Sequence, residues 1–176
     1  MSDWDIGKRE IEREHLYRFL DSYTLATGEE IEIVAESETP DFIGRDADGN
    51  TVGIELTQVR FSPEERLGRR LFPPAPHDPD AFIKILVLMH KKGRTLGKGN
   101  WHLCKRKILV IVLIDADLDA MAGMDTDQPE EGGFTEIWLA DGTQIEIFGG
   151  MDLFPMVHPT ATGVYDVASR DQKPWG

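Results

Sequence analysis

A single cysteine, Cys104, stands in the whole chain, so no internal disulfide can form. A reducing compartment, the cytoplasm, is the expected setting. Long apolar runs are also missing. The longest, Ile108 to Ile114, is strand-sized and far short of the roughly 20 residues of a membrane span, so no membrane partner is expected. The opening residues Met1-Ser2-Asp3-Trp4-Asp5 lack the basic start and apolar stretch of a secretory signal. Basic residues are scarce, 19 Lys and Arg against 32 Asp and Glu. The resulting net charge of −13 argues against simple attraction to nucleic acids or anionic lipids. There is no Gly-x-Ser-x-Gly elbow. No second Cys/His pair accompanies His102 and Cys104, which speaks against a zinc site.

What is present reads as globular. Hydrophobic residues make up 40% and charged residues 29%, and 176 residues suit one domain with a real core. The charge is unevenly spread. Residues 1–59 carry 5 basic and 15 acidic side chains, residues 60–108 carry 12 and 4, and residues 109–176 carry 2 and 13. The basic middle either complements the acidic flanks within the fold or supplies a local phosphate-binding surface.

Leu16, Phe19, Leu20 and Tyr23 recur at helical spacing, predicting a helix over 8–26 that stops at Gly28. Residues 29–36 alternate polar and apolar, a strand with Ile31, Ile33 and Ala35 on one side. Residues 42–45 and 51–59 read as two further strands. The turn-forming Asp46-Ala47-Asp48-Gly49-Asn50 between them predicts a hairpin. Residues 61–80 hold five prolines and are expected to be irregular. Asp80 is placed to cap a helix from Ala81 to about Lys92, closed by Gly93. Lys107 to Ile114 predicts a central strand. A second hairpin is expected to join 135–140 to 143–148 through Asp141-Gly142, with a loop-rich tail from Met151 onward.

Two acids stand out within the first hairpin: Asp41, after Pro40 at the start of its first strand, and Glu55, within Glu55-Leu56-Thr57 of its second. A three-residue turn, with glycine in its left-handed position, puts them on one face. A two-residue turn puts them on opposite faces. The hydrophobic pattern favours the shared face, because Phe42 would then meet Ile54 or Leu56 in the core. Two facing carboxylates can hold a hard divalent cation. Glu55, flanked by Ile54 and Leu56, is also costly to bury without a partner or metal.

This motif and element order resemble the PD-(D/E)xK nuclease superfamily, over about residues 8–115. The resemblance implies an α/β fold: a restriction-endonuclease-like αβββαβ core, a mixed sheet flanked by helices. The C-terminal hairpin is appended to it, within a single domain spanning 1–176. It further implies that Asp41 and Glu55 bind Mg²⁺ or Mn²⁺ for phosphodiester hydrolysis, with Glu12 of the first helix as an added metal ligand. Thr57 stands where the family usually has lysine. Thr57 itself, or Lys84 recruited from the following helix, would take that role. Arg66, Arg69, Arg70, Lys91, Lys92, Arg94 and Lys98 would approach the phosphates of a nucleic acid. The alternative expectation is a non-catalytic acidic binding protein on the same fold, such as an inhibitor or immunity-type partner of a basic protein. A homodimer is compatible with either.

Other signals carry less. Asp46 to Asn50 resembles part of an EF-hand loop, but Thr57 occupies the place of its bidentate glutamate. Residues 93–99 follow a helix rather than a strand and lack the Ser/Thr of a phosphate loop. Asp115, Asp117 and Asp119 read as a solvated strand exit.

Overall fold

The computed structural model describes residues 3–60, 79–115, 118, 133–143 and 150–158. In chain order they form α1 (Asp3–Thr27), β1 (Glu32–Glu36), β2 (Phe42–Arg45), β3 (Thr51–Val59), α2 (Pro79–Gly93), a 3₁₀ turn (Gly99–Leu103), β4 (Arg106–Leu113), β5 (Glu136–Asp141) and β6 (Leu153–Val157). All six strands join one mixed sheet in the order β1-β2-β3-β4-β5-β6. The β3–β4 and β4–β5 pairs are parallel, and the other three are antiparallel. The fold is thus mixed α/β. Among the described residues, no helix is long and apolar enough to cross a membrane.

Strand alternation sorts the core onto two faces. Phe42, Val52, Ile54, Leu56, Ile108, Val110 and Val112 pack with Leu16, Phe19 and Tyr23 of α1. Leu109, Ile111 and Leu113 pack with Ile85 and Met89 of α2 and with Trp101. β4 therefore has both faces covered, which is why its sequence is continuously apolar. Gly53 keeps the second face close-packed, because a side chain there would meet the Trp101 ring at 2.6 Å.

Several boundaries differ from the sequence expectation. α2 opens at Pro79, so Asp80 lies inside its first turn; proline's fixed φ suits that position. β1 is interrupted between Ile33 and Ala35, so Ala35 pairs with Ile43 while Ile33 pairs with Gly44. The break shifts Ala35 off the face that holds Ile31 and Ile33. The C-terminal part is not an appended hairpin. β5 extends the main sheet beside β4, and its antiparallel partner is β6, within the tail expected to be loop. Pro155 hid that strand. Proline cannot donate to a ladder, but among the described residues β6 is an edge strand, where it is tolerated. Residues 144–148 of the expected hairpin lie outside the described residues.

Candidate metal and phosphate site

The β2–β3 hairpin turns through Ala47-Asp48-Gly49, with Gly49 at φ 80°. The Asp46 N–H donates to the Asn50 carbonyl across the base of the turn at 3.1 Å. Asp46 Oδ1 accepts from the N–H groups of Asp48 and Asn50, so the EF-hand-like acids cap their own turn. Phe42 pairs with Ile54. Continued by one residue, this register sets Asp41 opposite Glu55.

β2 ends where Pro40 removes a donor, while β3 runs on to Val59 beside β4. Asp41 Oδ2 accepts the Leu56 N–H at 2.8 Å, so a carboxylate serves β3 where the β2 ladder has stopped. Glu55 points to the α2 face. Its Oε1 accepts from Lys92 Nζ at 2.6 Å, and its side chain is 7% exposed. Its Oε2 is buried with no hydrogen-bond partner among the described residues. Burial, and then the Glu55 charge, push the Asp41 carboxyl up to about 6, against the opposing pull of the Leu56 N–H. Glu12 adds to this rise and Lys92 opposes it.

Asp41 and Lys92 line a cleft of about 580 Å³ whose walls also include Glu12, His15, Thr57 and Gln58, while Glu55 lies buried behind Lys92. Glu12 is tied to Lys8 of its own helix at 3.6 Å. Among the described residues, no three Asp, Glu, His or Cys side chains converge tightly enough to hold a metal ion. Asp41 and Glu12 line the cleft, and the Glu55 charge reaches Asp41 from behind it.

The lysine in contact with Glu55 is Lys92, not Lys84. Ile85 and Met89 are the buried positions of α2, and Lys92 continues their stripe at i+3 and i+7. Lys84 lies about a quarter-turn off it and is exposed, on the side of exposed Ile83 and Val87. With Ile85 to Met89 all apolar, the sequence could not reveal which stripe faced inward. Lys91, Arg94 and Lys98 are exposed. Arg66, Arg69 and Arg70 lie outside the described residues, as do Asp117 and Asp119.

No protein-family model, curated protein or solved structure matches this chain.

His15 was missed by the sequence reading. It lines the cleft, its Nδ1 lies 3.5 Å from Gln58 Nε2, and burial lowers its pKa, aided by the Arg18 charge. The available signal was its i+3 spacing from Glu12, which puts both on one helix face. Cys104 is buried, and burial raises its thiol pKa, the opposite of an activated nucleophile.

Proposed function

We propose that the chain is a divalent-metal-dependent nuclease of the PD-(D/E)xK type, built on a restriction-endonuclease-like core. The observation that carries this reading is the environment of Glu55: among the described residues one of its buried carboxylate oxygens has no partner, and its charge helps to raise the pKa of a second carboxylate, Asp41. Two acids held together in this way fit a hard cation, which supplies the positive charge the pair lacks. The order α1, β1, β2, β3, α2, β4, with Asp41 at the head of β2 and Glu55 within β3, also supports it.

Asp41 and Glu55 would hold Mg²⁺ or Mn²⁺, and Glu12 would act from across the cleft. When bound, the metal lowers the pKa of water and offsets phosphate charge. Lys92 takes the role left open by Thr57. Its ammonium, fixed by Glu55, is positioned to face the charge that develops on a phosphate. Neutral His15 can accept or release a proton at the cleft wall. Arg94, Lys91 and Lys98, with Arg66, Arg69 and Arg70, would meet the nucleic-acid backbone. The Asp41 carboxyl must be ionised to bind metal, so metal affinity rises as pH rises through about 6.

The test is cleavage of plasmid, single-stranded DNA and RNA with Mg²⁺ or Mn²⁺. Wild-type cleavage that falls about 100-fold or more in Asp41→Ala supports the reading. Cleavage indistinguishable from that variant on every substrate overturns it. The alternative, an acidic binding protein, draws on a different part of the surface.

A further inference from the structure

The C-terminal half of α1 and strand β1 enclose a groove of about 610 Å³, separate from the cleft at Asp41. Its apolar wall includes Tyr17, Leu20, Leu25, Ile31 and Ile33. Tyr17 and Leu25 are 58% and 54% exposed, and Val34 on the adjoining strand is 49% exposed. β1 is an edge of the sheet. Among the described residues it pairs only with β2, so its outer N–H and C=O groups form a template for another strand.

Charge gives this edge a preference. Asp21, Glu30 and Glu32 line the groove. Several other acids have cations: Glu36 meets Arg9 and Arg13, Glu29 and Asp46 meet Arg106, and Glu55 meets Lys92. Among the described residues, no cation pairs with Asp21, Glu30 or Glu32.

We propose that this edge binds an extended, basic segment of another protein. The segment adds beside β1 as a further strand. Its Lys or Arg side chains lie against Glu30 and Glu32, and its apolar side chains lie against Tyr17, Leu20 and Leu25. A second copy of the chain fits poorly. The β1 of a second copy, Glu32–Glu36, carries no Lys or Arg, so it would leave Asp21, Glu30 and Glu32 without a cation. Nucleic acid is disfavoured by the same acids.

The test is fluorescence anisotropy of the full chain with a labelled peptide of alternating lysine and valine. A matched peptide carries N-methyl groups on alternate amides, which abolishes strand pairing without changing its charge. The expected result is saturable binding of the first peptide and none of the second. Binding should weaken about tenfold in Glu30→Lys/Glu32→Lys, checked for folding by circular dichroism. No saturable binding overturns the proposal. So does equal binding of the methylated peptide, which would mean attraction by charge alone, or unchanged affinity in the double variant. Self-association through β1 that excludes the peptide would replace the basic partner with a second copy. The nuclease reading rests on other side chains and is unaffected by any of these results.

Discussion

Two buried acids of the same sheet, Glu136 and Glu55, have opposite surroundings. Glu136, 2% exposed, uses both oxygens. Arg106 binds Oε1, and the Tyr23 hydroxyl and Trp138 Nε1 donate to Oε2 at 2.9 and 3.0 Å. His158 Nε2 lies 3.7 Å from the same Oε2. Arg106 in turn reaches Glu29 and Asp46, so the cluster ties α1, the β2–β3 turn, β4 and β5 together. Glu55, 5% exposed, has among the described residues one side-chain partner, one orphan oxygen and a second acid opposite it. A closed network of this kind is what holds a structure together. An open one retains a cost that a ligand can relieve, and that cost marks a candidate site. Both clusters are rich in charge, so charge alone does not tell them apart; completeness does.

The contrast can be broken from either side. The largest effect is expected at the closed cluster. Arg106→Met strands a buried Glu136 and should cost about 3–5 kcal/mol in urea denaturation. A loss under about 1 kcal/mol would show that the network is not structural. Lys92→Met removes the one side-chain partner that Glu55 has among the described residues and should cost about 1.5–3 kcal/mol by the same assay.

Asp41→Asn should act in the opposite direction. The folded carboxyl titrates near 6 and its ordinary value is 3.8, so the native state holds its proton more tightly. Stability from this group is present at low pH and is lost as pH rises from about 4 to about 6. An amide keeps the bond from Leu56 and avoids the loss. Asp41→Asn should therefore be more stable at pH 7 by about 1–2 kcal/mol, after allowance for partial exposure. Its stability between pH 4 and 6 should depend less on pH. A destabilised variant would show that Asp41 is held for structure.

The smallest effect is expected at His158. Burial lowers its pKa below 6.5 despite Glu136 nearby. The unfolded chain therefore takes up that proton first, and stability falls as pH drops below about 6.5. His158→Phe should flatten that slope by under about 1 kcal/mol, read from thermal midpoints between pH 5 and 7. An unchanged slope would assign it to His15, whose pKa is lowered as well.

Local signals carried much of the fold. The hairpin strands, the central strand and α1 follow from alternation, helical spacing and turn residues that are all local in the chain. The register at Asp41 and Glu55 was readable because a core pairing of Phe42 leaves only the shared face. β6 was not readable, because its proline is acceptable only on an edge, and an edge exists only once the sheet is assembled. Lys92 and His15 were obscured for a related reason: an apolar helix does not announce its inward stripe, and a lone histidine does not announce a cleft.

The sequence by itself determined the order of helices and strands as far as β4, and its hydrophobic pattern favoured one shared face for the two acids of the first hairpin. Those are consequences of periodicity and turn geometry within a few residues. Tertiary structure alone decided that Lys92 meets Glu55, that Glu136 is satisfied while Glu55 is not, and that β1 is left as an acidic edge. Each depends on which distant segments pack together, and the burial that makes an unpaired oxygen or an unpaired edge costly exists only after they have done so.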